Sequence, residues 1–110
     1  MAKFVKGDVV VIPFPFSDLS QSKRRPAPVV ASLEGDDSSL CQITSKNIKD
    51  NYAISVEESD FDSGSLKQAG NIRPNRPFTA DTHIILYRIG IIKKDKLNQV
   101  IGKVVEIIKG

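Results

Sequence analysis

The sequence predicts a mainly β fold: a small barrel of about five or six short strands, with one C-terminal α-helix packed on its outside. Two observations carry this. Apolar, β-branched runs of strand length recur through the first ninety or so residues, separated by clusters of Gly, Pro, Ser and Asp. The last part of the chain then changes period, from alternation to the three-and-four spacing of a helix.

Taken in order, GDVVVIP (7–13) opens on a Gly-Asp turn signal, continues as a β-branched run and closes on a proline, which reads as the first strand. FPFSDLSQSKRRP (14–26) is rich in Pro and Ser and reads as a loop. APVVASL (27–33) is a second strand, EGDDSS (34–39) a hairpin connection and LCQITS (40–45) a third strand. Alternation places Cys41 and Ile43 on one face of that strand, with Leu40, Gln42 and Thr44 on the other. YAISVE (52–57) alternates as well, and 59–71 is polar, Gly-containing and loop-like. In NIRPNRPFT (71–79) Pro74 and Pro77 restrict the chain to short extended pieces, while HIILYRIGII (83–92) reads as a strong strand. From Leu97 the apolar positions Val100, Ile101, Val104, Val105 and Ile108 complete a helical stripe, Asp95 is placed to cap it, and Gly102 falls on the polar face. The expected barrel core is Val9, Val11, Val29, Cys41, Ile43 and Ile54.

With 110 residues the chain has the length of a single domain, residues 1–110. No apolar run approaches the roughly 20 residues of a membrane span, and MAKFVKGD lacks the apolar core of a secretion signal, so a cytoplasmic protein is expected. Cys41 is the sole cysteine, which excludes an intrachain disulfide. Lys and Arg number 16 against 13 Asp and Glu, a net charge of +3, and the excess is clustered. Lys23, Arg24 and Arg25 adjoin in sequence, Arg73 and Arg76 form a second group, and Lys93, Lys94 and Lys96 a third. Such clustering suits either one basic face for nucleic acid or separate solvated loops.

The chemistry is bounded by what is missing. His83 is the sole histidine, so His/Cys metal sets are excluded, and neither GxxxxGK nor GxGxxG occurs. A histidine-based nucleophilic triad would have to use His83, which adjoins an apolar strand; Cys41 in a strand reads as a small core residue. Arginine, threonine and serine remain, an inventory that suits phosphodiester chemistry without a metal. RNA brings its own nucleophile, the 2′-hydroxyl, and a protein need only position it, neutralise the phosphate and move protons. The arginine fork makes bidentate, charge-assisted contacts to phosphate.

The stretch KGDVVVIPFPFSDLSQSKRRPAPVV resembles the opening of the PemK/MazF family of toxin endoribonucleases, in which a Gly-Asp strand leads through a loop to an Arg-Pro step. QITS (42–45) is similar to that family's third-strand Thr-Ser, NIRPNRPFTAD (71–81) to a segment supplying further active-site side chains, and LYRIGIIKKDKLNQVIGKVVEII (86–108) to its last strand and helix. The resemblance implies an SH3-like barrel of the PemK/MazF/CcdB type, a homodimer, metal-independent and cofactor-free cleavage of single-stranded mRNA to a 2′,3′-cyclic phosphate, and a cognate antitoxin with an acidic tail. It implies Arg25, before Pro26, as the catalytic arginine, Thr44 as the catalytic threonine, and Arg73 as acid or phosphate ligand. Lys23, Arg24, Ser45, Asn75, Arg76 and Phe16 are implied RNA contacts.

Asn75 departs from the family, which often has an aspartate there as general base; an amide cannot take that proton, and arginine's pKa is too high to substitute. Asp18 and Asp81 are candidate replacements by loop position. Base readout is expected around Phe14, Phe16 and Phe61. Two other readings stay open at this point: a DNA gyrase poison built on the same barrel, and a relative that binds RNA or protein without cutting. Arg24 and Arg25 would also be satisfied as solvated side chains or by ion pairs to Asp36 or Asp37 across the hairpin, and Thr44 as a strand former on a solvent face.

Overall fold

In the computed structural model, residues 4–14, 23–45 and 50–110 are described, Phe14 and Lys23 by backbone alone. Seven strands form one curled antiparallel sheet, a half-barrel in the order β4-β6-β3-β2-β1-β7-β5. They are β1 (Asp8–Phe14), β2 (Lys23–Ser32), β3 (Asp37–Thr44), β4 (Ile54–Val56), β5 (Phe61–Gly64), β6 (Gly70–Asp81) and β7 (Tyr87–Ile92), followed by the helix α1 (Lys94–Lys109). Among these residues no helix is long and apolar enough to cross a membrane. The Gly-Asp turn works as its residues suggest. Gly7 has φ +94°, a value glycine reaches without strain, and the Asp8 carboxylate accepts from Val5 N at 2.9 Å, starting β1.

The curl comes from β2. Its first half pairs with β1 from Lys23↔Phe14 to Pro28↔Val9, and its second half pairs with β3 from Val29↔Leu40 to Ser32↔Ser38. A strand that changes partner partway along gives the sheet two interior surfaces, and both are apolar. Val9, Cys41, Ile43, Ile54 and Ile72 pack with Leu97 and Val100 of the helix. Val10, Ile12, Ala27, Val29 and Leu40 form the other cluster with Ala80 and Ile85. All six expected core residues are buried, although Val29 belongs to the second cluster and Val11 to neither. The face of β3 opposite Cys41 is therefore a second core and not solvent: Leu40 is fully buried there and Thr44 is only 5% exposed.

Four expectations about elements change. The basic cluster lies inside β2 and not in a loop, because Arg24 and Arg25 have Pro13 and Ile12 as ladder partners. Residues 59–71, expected as loop, include a short 3-10 turn at Glu58–Asp60 and the edge strand β5 on β7. β6 spans 12 residues despite its prolines. Pro77 opposes Cys41, Ile72 opposes Ile43, and the register shifts between them, so Arg73 to Arg76 fall where the ladder makes no demand on an N–H. Finally, Thr82–Ile84 is a 3-10 turn, and β7 begins at Tyr87.

The helix begins earlier than its stripe, at Lys94; Asp95 sits in its first turn and makes no capping bond. Leu97 and Val100 are buried, whereas Val105 and Ile108 near the end are exposed. Lys96 ties the helix to the sheet by donating to Ser55 O at 2.8 Å.

Candidate active site

Continuing the Val29↔Leu40 register four residues in each direction would set Arg25 opposite Thr44. The strands do not stay paired that far, because β2 turns to β1 at Pro28. The parting of β2 from β3 opens a cleft of about 800 Å³, floored by Val11, Pro26 and Ile43 and walled by residues of the β5–β6 connection and β7. Four cations line it: Arg24, Arg25, Lys67 and Arg88. Among the described residues no carboxylate does. Neither Arg24 nor Arg25 has an ion pair among the described residues, so the bridges to Asp36 or Asp37 are not made. Those acids lie at the far end of the β2–β3 hairpin. Arg88 is paired with Asp8, but Arg24, Arg25 and Lys67 have no ion pair among the described residues. Like charges around one concavity repel each other, and an anion entering it relieves that repulsion.

Side-chain alternation sorts the expected site residues. Arg25 shares a face of β2 with Ala27 and Val29, both in the second core, and Thr44 shares that face through Leu40. Arg24 and Pro26 are on the opposite face, as is Ser45 just beyond β3. The structure thus brings Arg24, Arg25 and Ser45 to the cleft, with Arg25 half-buried and Arg24 and Ser45 exposed. Thr44 stands directly behind Ser45 and is buried. Lys23 is the ladder partner of Phe14, its side chain outside the described residues, as Phe16 and Asp18 are entirely.

Arg73, Asn75 and Arg76 occupy the register gap of β6, across β3 from the cleft, and do not line it. Arg73 Nη2 is 3.7 Å from Asp50 Oδ2. Asp50 is itself fixed: its Oδ1 accepts from Tyr52 N and Ala53 N, both at 2.9 Å. These two backbone bonds, with a smaller contribution from the Arg73 charge, hold its carboxyl below the usual aspartate value. Arg73 Nε and Asn75 Oδ1 are buried without a hydrogen-bond partner among the described residues. A buried donor and acceptor left open two residues apart are costly unless something else fills them.

Three placements were not readable from sequence. Arg88 on β7 reaches Asp8, a 2% exposed carboxylate, at 3.5 Å while half of its own side chain faces solvent. Tyr87 lines the cleft beside it. Asp50 is the acid at Arg73, whereas Asp81 pairs with Asp37 at the opposite end of β3 from Thr44, about 23 Å along the strand. That distance removes Asp81 as a replacement base. Phe61 is buried against the helix cluster and cannot read a base. Cys41 is buried too, and burial pushes its thiol up to about 11.

A curled antiparallel half-barrel with a basic cleft at a strand junction, lined by no carboxylate among the described residues, defines a small mainly β protein with a site of positive charge. Residues 5–108 match the family model of the PemK-like, MazF-like toxins of type II toxin-antitoxin systems. The chain belongs to that family. No curated protein matches it by sequence. Solved structures match its fold along nearly the whole length. The MazE–MazF complex from Deinococcus radiodurans is 17% identical, covers 98% of each chain and has a TM-score of 0.78. MazF alone from the same organism is 18% identical over 100% of both chains, with a TM-score of 0.75. An endoribonuclease with its cognate antitoxin from a mycobacterial species is 13% identical over 99% of this chain and 96% of that one, with a TM-score of 0.73.

Proposed function

We propose that this toxin is a sequence-specific endoribonuclease that cuts single-stranded mRNA without a metal or cofactor. The observation that carries the reading is the cleft: among the described residues four cations and no carboxylate line it, and it lies where β2 leaves β3. Family membership supports it, since MazF/PemK toxins are known endoribonucleases.

In the proposed step the RNA 2′-oxygen attacks the adjacent phosphorus and the P–O5′ bond breaks. The products are a 2′,3′-cyclic phosphate and a 5′-hydroxyl; the 2′-OH gives up its proton and the departing 5′-oxygen gains one. Arg25 holds the phosphate and stabilises the charge that develops on its oxygens, with bidentate geometry that a lysine lacks. Thr44, buried on the Arg25 face, and Arg73, held by Asp50 across β3, lie outside the cleft lining. In this reading they meet the same phosphate where the RNA passes the end of β3, Thr44 through its hydroxyl and Arg73 as acid or second phosphate ligand. Asn75 cannot accept a proton and Asp50 is a weakened base, so the protein works without a strong base and leans on stabilisation of charge, with proton removal left slow. Arg24, Lys23, Ser45, Asn75 and Arg76 contact the RNA around this centre.

The same surplus of positive charge suits a cognate antitoxin that blocks the cleft with an acidic tail, a partner whose attraction is strongest at low salt. The working form is a cytoplasmic homodimer.

Incubating the pure protein with end-labelled single-stranded RNA in excess chelator tests the reading. Cleavage leaving 2′,3′-cyclic phosphate ends supports it. Intact RNA together with inhibition of DNA gyrase would replace it with the gyrase-poison reading, and RNA binding without cutting would reduce the chain to a binding relative.

A further inference from the structure

We infer that Tyr87 is the base-stacking platform of the cleft, and hence a specificity-determining residue for RNA. The inference rests on the endoribonuclease reading above.

Tyr87, Val11 and Pro26 lie in register across β7, β1 and β2, so their side chains share one face of the sheet. Val11 is buried and Pro26 half-buried, which makes them an apolar floor beside the ring, whereas Tyr87 itself is 48% exposed. Arg24 is on the same face two residues before Pro26 and also lines the cleft. An aromatic ring left half in water forfeits much of the burial that usually justifies it. Set beside cations in a concavity that no carboxylate lines among the described residues, that ring has the two groups an unpaired nucleotide needs, a π-face for the base and positive charge for the phosphate.

No other aromatic residue competes for the role among the described residues lining the cleft. Phe61 is buried in the helix-side core, and Phe78 lines a separate groove between the helix and the sheet. Stacking tolerates any base but favours larger ones. Tyr87 therefore fixes where a base sits and contributes preference through ring overlap, while edge contacts from neighbours such as Gln68 complete the discrimination.

The composition supplies a direct probe. The chain has no tryptophan and two tyrosines, so a Tyr52→Phe variant leaves Tyr87 as its single emitter. Titrating that variant with short single-stranded oligoribonucleotides carrying 2′-O-methyl groups, which block cleavage, should quench its emission as binding saturates. Tyr87→Ala should raise the Kd for those oligonucleotides by about ten- to a hundred-fold, and Tyr87→Phe, which keeps the ring, should stay within about twofold of the parent. Tyr87→Leu separates loss of the aromatic face from loss of bulk and should resemble Tyr87→Ala.

Unchanged emission during binding that fluorescence polarisation confirms would overturn the inference, as would Tyr87→Ala binding and cutting RNA like the parent. In either case the parent still cuts RNA and the endoribonuclease reading stands. A parent that neither binds nor cuts RNA would remove both.

Discussion

Gly70 lies against the backbone of Thr44: a Cβ placed on Gly70 would stand 2.6 Å from the Thr44 carbonyl oxygen and 3.1 Å from Ile43 Cγ2. β6 can pass the end of β3 this closely because position 70 has no side chain. Gly70→Ala should push the two strands apart where Thr44 and the cleft meet, costing about 1–3 kcal/mol of stability and lowering the rate of RNA cleavage. Gly102 is the internal control. It is exposed in the middle of α1 with open space around it, so Gly102→Ala should raise stability by about 1 kcal/mol and leave activity alone. Thermal unfolding of both variants checks the pair; equal shifts in the same direction would contradict it.

His83 is the sole histidine, which makes its titration easy to read. Its Nδ1 meets Asp81 Oδ1, and the Asp81 side chain also accepts from His83 N at 2.8 Å. The side-chain bond to Asp81, then the charge of Asp81, raise the imidazole above its ordinary 6.5. Asp81 is lowered from 3.8, mainly by the His83 backbone N–H. A raised histidine stabilises the fold fully below its unfolded value near 6.5, and that contribution is lost as pH rises through the folded value. The lowered Asp81 contributes above its unfolded value, and this is lost as pH falls through its folded one. An NMR titration should show one imidazole with a midpoint above 6.5 that moves down in Asp81→Asn. Because this pair sits at the far end of β3 from Thr44, that variant should cut RNA like the parent.

Thr44→Val keeps the shape of a buried strand residue and removes only the hydroxyl. We expect kcat to fall by about ten- to a hundred-fold, whereas Ser45→Ala, in the exposed cleft lining, should act chiefly on KM. Asn75→Asp tests the missing base from the other direction. A carboxylate in the β6 register gap should raise the rate and introduce a pH dependence near a carboxylate pKa. Steady-state kinetics across pH decide both; a flat profile with no gain would mean that proton removal does not limit the rate.

Much of the fold was legible because its determinants are local. The Gly7-Asp8 turn, the alternation of β3 and the helical stripe from Leu97 each depend on residues within one element. What escaped depends on partners distant in sequence. Lys23, Arg24 and Arg25 look like loop until Phe14, Pro13 and Ile12 are seen to offer them a ladder. Pro74 and Pro77 look like breaks until the register shift against β3 is known. β5 reads FDSG, with no strand signature, and exists because Gly64 and Gly90 let two backbones approach within contact.

The candidate site divides in the same way. That Arg25 would stand at a basic site was suggested by a local pattern, Arg-Pro at the mouth of an apolar run, and Arg25 does line the cleft. The alternation that put Thr44 on the face opposite Cys41 also holds. That the opposite face is a second core was not legible, since it follows from β2 changing partners. Arg88, Tyr87 and Asp50 carried no local mark. They became visible only when β7 and residues 50–53 were placed beside the cleft and the β6 gap.

The central claim is that Arg25 holds the phosphate that is cut, and its most direct test is the cleavage rate of Arg25→Ala against the parent in excess chelator, with Arg25→Lys alongside. Arg25 is half-buried and has no ion pair among the described residues, so both variants should unfold close to the parent's temperature. The account expects Arg25→Ala to lose about a hundred-fold or more in rate, some 3 kcal/mol of transition-state stabilisation, and Arg25→Lys to recover little of it. A folded Arg25→Ala protein that cuts single-stranded RNA as fast as the parent would contradict the account.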